Sequence, residues 1–166
     1  MIRRFVVANI LQPAEIVEIG IEKEKKRRDF YALAAERFED KKELAELFEK
    51  LRDWEEQHIE KFQQIRENLK KAQYTESYPG ETEGYMQALV DSELYNMITP
   101  NRFAEIVKSE FDALDIGIGF EKDAILFFGS LAGYLDEKDR SVVEKLIEEE
   151  KQHMLYLFNL KKELQG

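Results

Sequence analysis

The chain has 166 residues, of which 43% are hydrophobic and 36% charged, with a formal net charge of -10; this is enough chain to bury a core, and too acidic a surface for a phosphate backbone or an anionic lipid face. It contains no cysteine, which excludes disulfides, thiolate zinc sites, iron–sulfur clusters and a cysteine nucleophile. With only 3 prolines and 8 glycines, long helices are favoured over a meander of short strands. Residues Met1 to Leu11 carry Arg3-Arg4-Phe5 and a brief apolar stretch broken by Asn9, too short for a signal sequence. No run reaches the roughly 20 apolar residues of a membrane span. The expectation is a soluble, cytoplasmic, single domain over residues 1–166.

Pro13 suits the first turn of a helix, where its missing N–H is not needed. From there to about Phe38, Ile16, Ile19, Phe30, Leu33 and Ala34 recur at helical spacing. Asp40 to Lys42 reads as a turn. A second helix runs to about Lys71, with Leu44, Leu47, Phe48, Leu51, Ile59, Phe62 and Ile65 on its apolar side. Ser77-Tyr78-Pro79-Gly80 and Thr99-Pro100-Asn101 are turn signals, and short helices are expected around Glu83–Tyr95 and Arg102–Lys108. A third long helix is expected from Glu110 to Leu135. A fourth, capped by Asp139 or Ser141 after the turn Asp136-Glu137-Lys138-Asp139, continues to about Leu164.

An internal repeat runs through this pattern. Glu55-Glu56-Gln57-His58 and Glu150-Lys151-Gln152-His153 lie 95 residues apart, and each follows a helix with a matching glutamate and aromatic. Glu24 precedes Tyr31 by seven residues, and Glu121 precedes Phe128 by the same interval. Two helical hairpins joined by a long crossover give an all-α, antiparallel four-helix bundle, with a two-fold axis on which a shared site could lie.

The chain has only two histidines, and each stands three residues after a glutamate. Positions i and i+3 share a helical face, so each motif offers a carboxylate and an imidazole to one cavity. Two such helices and an inward glutamate from each of the other two would hold two metal ions. Carboxylate oxygens stabilise the ferric state, while imidazole suits iron, zinc, copper and nickel. Two iron ions are therefore expected, with zinc or manganese as substitutes. Glu55 with His58 would serve one ion and Glu150 with His153 the other, and each inward glutamate could span both. Glu24 and Glu121 are the first-choice inward glutamates, with Glu22 and Glu110 as alternatives if the helical phase differs. The Tyr31 hydroxyl could bond a ligand carboxylate.

Against this, a lone Glu-x-x-His is usually a solvated face. Glu36, Glu39, Glu43, Glu46, Glu148 and Glu149 read as surface charge beside Lys and Arg. Phe48, Phe62, Phe127, Phe128, Tyr156 and Phe158 read as core, and Trp54 as packing.

From about Pro13 to Leu164 the chain resembles the ferritin-like domain of rubrerythrins, on Glu24 with Phe30-Tyr31, Glu121 with Phe127-Phe128, and the two Glu-x-x-His motifs. The resemblance implies a non-haem di-iron oxidoreductase reducing hydrogen peroxide, or dioxygen, and a homodimer. Rubrerythrins usually carry a cysteine-ligated rubredoxin domain that delivers electrons. With no cysteine in the chain, an external donor such as a rubredoxin-like protein is expected. Rubrerythrins also place an extra glutamate three residues after the third-helix ligand, where this chain has Ala124. The remaining set of four glutamates and two histidines is closer to a bacterioferritin ferroxidase centre. A ferroxidase is the alternative reading, and a helical interaction protein with a structural or lost metal site the weaker one.

Overall fold

In the computed structural model, which describes residues 12–71, 88 and 98–166, four long helices and one short one account for the regular structure. They are α1 (Pro13–Arg37), α2 (Lys42–Lys71), α3 (Pro100–Ile106), α4 (Glu110–Ala132) and α5 (Glu137–Gln165). Of the helix expected around Glu83–Tyr95 only residue 88 is described, and it is helical; the rest lies outside the described residues. The start of the short helix is set by Thr99, whose hydroxyl accepts from the Arg102 amide, with Pro100 in the first turn.

Caps explain the other starts. The Gln12 amide donates to Glu15 Oε2 at 2.8 Å ahead of Pro13. Ser109 and Asp112 close a reciprocal box at the start of α4. For α5 the cap is Asp136, correcting the expectation of Asp139 or Ser141. Asp136 has extended backbone and its carboxylate accepts the Asp139 amide at 2.9 Å. Asp139 already lies in the first turn, where its own carboxylate is buried and accepts from Asn68 at 3.2 Å.

The helices pair as the hairpins α1–α2 and α4–α5, with α1 against α4 and α2 against α5 closing the bundle. The inward stripes are regular. On α2 a buried stripe of Leu44, Phe48, Leu51, Glu55, His58, Phe62, Ile65 and Leu69 alternates four and three residues apart, with Ile59 buried beside it. On α5 the stripe is Val143, Leu146, Glu150, His153, Leu157 and Leu160. This spacing is that of helices packed nearly along one another.

Two apolar cores occupy the ends of the bundle. One gathers Ile16, Ile21, Phe62, Ile65, Phe127, Phe128, Leu131 and Leu146. The other gathers Phe30, Tyr31, Ala34, Phe48, Leu51, Leu114, Phe120 and Leu157. The start of α1 thus packs with the end of α4, so those two run antiparallel. Between the cores, the same stripes that carry Leu and Phe elsewhere carry Glu and His. Close approach is needed here too: a Cβ on Gly117 would lie 3.1 Å from Leu157 Cδ1. Tyr156 and Phe158, expected in the core, are 46% and 47% exposed instead. They fall outside the stripe that Leu157 and Leu160 occupy.

Candidate metal centre

Burying one carboxylate without compensation is costly, and this layer buries four. Glu24 from α1, Glu55 from α2, Glu121 from α4 and Glu150 from α5 are each fully buried, with His58 and His153 almost so. All six residues expected as ligands converge on this layer. Candidate ligand atoms fall within 4.8 Å of one another in two overlapping groups. One group is Glu24, Glu55, His58 and Glu150, and the other is Glu55, Glu121, Glu150 and His153. The alternatives do not join them. Glu22 is exposed and pairs with Lys25 at 2.7 Å, while Glu110 pairs with Lys41 at 2.6 Å.

Glu55 and Glu150 belong to both groups, whereas Glu24 and Glu121, to which a spanning role was given on sequence, belong to one each. The two residues from the Glu-x-x-His helices sit centrally, and Glu24 and Glu121 stand at opposite ends. His58 Nδ1 lies 3.1 Å from Glu150 Oε1, 3.5 Å from Glu24 Oε2 and 3.6 Å from Glu55 Oε2. His153 Nδ1 lies 2.8 Å from Glu150 Oε2 and 3.8 Å from Glu121 Oε2. Both imidazoles therefore turn Nδ1 into the cluster, with ring centroids 5.5 Å apart.

The electrostatics follow from this crowding. Burial, then the charge of Glu150, pushes the Glu121 carboxyl well above the usual range, against a hydrogen bond from His153. Burial works against Glu150 as well, but His58, His153 and Arg27 override it and hold that carboxyl well below its ordinary value. Burial would lower both imidazoles, yet the surrounding carboxylates raise His58 well above the usual range and His153 to about 9. The cluster is thus built to hold positive charge. Oε2 of Glu24, both oxygens of Glu55 and Oε2 of Glu121 are buried without a hydrogen-bond donor. Acceptor oxygens and imidazole nitrogens converging at this range form a donor set that suits a divalent or trivalent first-row metal.

Three neighbours complete the site. The Tyr31 hydroxyl donates to Glu121 Oε1 across the bundle, so the expected bond to a cluster carboxylate is present. Glu149, read on sequence as surface charge, is half-buried and reaches His58 Nε2 at 2.9 Å while taking Lys61 at 3.0 Å. The bond from His58 holds the Glu149 carboxyl down at about 2. A carboxylate on the outer imidazole nitrogen fixes the ring with Nδ1 inward. Arg27, which sequence reasoning missed, is fully buried within the cluster. Its Nη2 contacts Glu24 Oε1 and lies 3.9 Å from Glu150 Oε1, and its Nε lies 3.6 Å from Glu55 Oε2. Trp54, expected only to pack, stacks on His153 with ring centroids 4.8 Å apart and planes 4° from parallel. Beside it, a surface cavity of about 270 Å³ is lined by Trp54, Gln57, Glu149, His153 and Tyr156 among others, so His153 separates the cluster from solvent.

Among the described residues, no helix is long and apolar enough to cross a membrane. No curated protein and no solved structure matches the chain. The family model for rubrerythrin matches residues 15–161, from the first turn of α1 to near the end of α5 and across every residue of the cluster. Its helical architecture and its paired Glu-x-x-His layer agree with that match, and the chain belongs to the rubrerythrin family.

Proposed function

We propose that this chain is a non-haem di-iron oxidoreductase that reduces hydrogen peroxide, or dioxygen, with electrons from an external donor. The observation that supports it most is the pair of overlapping Glu/His groups, which share Glu55 and Glu150. Glu24 with His58 would hold one iron ion, Glu121 with His153 the other, and the two shared glutamates both; zinc or manganese could substitute. When bound, such a pair supplies two electrons, which with two protons convert hydrogen peroxide to two waters. The chain's own residues set the conditions for this. Tyr31 keeps a proton at Glu121 Oε1, from the dry side of the bundle. Glu149 orients His58 through Nε2. The surface cavity beside His153 gives a small oxidant a short approach to the buried layer.

Family likeness supports a rubredoxin-like reductant and a homodimer in the cytoplasm. A ferroxidase role is the second reading. It is favoured by buried Ala124 at the position where rubrerythrins carry an extra glutamate. The test is anaerobic loading with Fe(II), then rapid mixing with peroxide and separately with dioxygen. Oxidation much faster with peroxide supports the peroxidase. Faster oxidation with dioxygen, and continued turnover of added Fe(II), transfers the assignment to ferroxidase.

A further inference from the structure

The two halves of the cluster differ in one charge. Glu24 on α1 and Glu121 on α4 are mates under the internal repeat, 97 residues apart, and the same interval relates Arg27 to Ala124 and Tyr31 to Phe128. Each mate glutamate also meets a side chain from outside the six candidate ligands. For Glu121 this is the neutral Tyr31 hydroxyl, and for Glu24 it is the Arg27 guanidinium. Arg27 also lies over the Phe128 ring, 5.5 Å from its centroid. It is therefore enclosed by the bundle and cannot reach solvent as a surface arginine does.

We propose that Arg27 is a fixed internal cation that makes the two metal positions unequal, so that the Glu121/His153 position fills first and the Glu24/His58 position second and more weakly. This rests on the reading of the cluster as a two-metal centre. With neutral imidazoles, the four buried carboxylates balance two divalent ions and Lys61 balances Glu149, so Arg27 adds one positive charge beyond that balance. An unbalanced charge in a buried layer is unfavourable. The excess is felt most at the Glu24 end, where the guanidinium already occupies a ligand carboxylate. Repulsion between a guanidinium and a divalent ion sharing that carboxylate corresponds to a weakening of about tenfold or more. Tyr31 imposes no such penalty at the other end, because a hydroxyl donates a hydrogen bond without carrying charge.

The test is an anaerobic Mn2+ titration of the full chain, followed by calorimetry and by electron paramagnetic resonance, which separates isolated from coupled ions. The wild type is expected to bind one equivalent about tenfold or more tighter than the second, with isolated-ion spectra after the first. His153→Ala should remove the tight equivalent, and His58→Ala should spare it. Arg27→Gln should bring the two affinities to within about threefold of each other, while Arg27→Lys, which keeps the charge, should preserve the gap. Two equal affinities in the wild type, or a gap unchanged in Arg27→Gln, would overturn the role of Arg27 and leave the two-metal reading standing. If Arg27→Gln fails to fold, loss of the tight equivalent in His58→Ala and not in His153→Ala overturns the order of filling by itself. Binding of no Mn2+ by either wild type or variants would overturn the two-metal reading along with the inference.

Discussion

Replacing Tyr31 with phenylalanine isolates one hydroxyl in the buried layer. The ring would stay where it is, held edge-on by Phe30 with centroids 5.6 Å apart and stacked on Phe48 at 6.0 Å, so packing is conserved. What is lost is the donor to Glu121 Oε1. Glu121 Oε2 has His153 Nδ1 3.8 Å away, but nothing replaces the hydroxyl at Oε1, so the variant leaves that oxygen of a fully buried carboxyl without a donor. Stranding a buried acceptor costs about 1–3 kcal/mol, and the unfolded chain pays nothing comparable because water solvates the carboxyl there. Taking about 2 kcal/mol, a chain of this length should melt roughly 4–8 °C lower. The assay is thermal and urea unfolding of chelator-treated Tyr31→Phe beside wild type, with an unchanged urea slope confirming that the unfolded states are alike. A melting temperature within about 1 °C of wild type would refute the reasoning, since the hydroxyl would then contribute nothing that the layer cannot supply otherwise.

Three further outcomes follow from the geometry. Glu149→Gln removes the charged partner of His58 Nε2 and should weaken metal binding at the His58 end about 10- to 100-fold, read by metal titration, while the His153 end is unaffected. Phe62→Ala, at a fully buried position with its ring tilted against Phe128 at a centroid distance of 4.9 Å, should cost ~3–5 kcal/mol in urea unfolding. In the metal-free chain the His153 imidazole is raised from 6.5 to about 9, so its stabilising contribution is complete below pH 6.5 and is lost as pH rises through 9. The raised Glu121 carboxyl acts in the same sense. Melting temperatures measured across that window should fall, by up to ~3 kcal/mol in stability; a flat or rising profile would contradict the protonated cluster.

The helices and the six residues of the layer could be read from the chain because their signals are periodic. Glu55, His58, Glu150 and His153 occupy the stripe that Leu51, Phe62, Leu146 and Leu157 define on the same helices, and that phase places them inward. Glu22, kept as an alternative on sequence, stands two residues from Glu24 and so on another, exposed face. Arg27 had the same signal, four residues before Tyr31 and three after Glu24, yet an arginine beside a glutamate at that spacing is ordinarily a surface pair. Its burial is a product of the four-carboxylate layer, which no single helix reveals. Glu149 was missed for a different reason. Its helix turns it aside from the stripe, and it reaches His58 only because α2 and α5 pack together. Tyr156 and Phe158 show the reverse case, apolar residues that the phase of α5 turns toward solvent.

Whether this layer is a two-metal centre with Glu55 and Glu150 as shared ligands is decided by equilibrium dialysis against saturating Fe(II) under anaerobic conditions, with iron counted per chain in wild type and in Glu55→Gln/Glu150→Gln. Wild type should hold two ions per chain, one for each of the two overlapping groups, and the double variant fewer than one. Wild-type protein that binds no iron, or a double variant that binds as much as wild type, would contradict the two-metal centre.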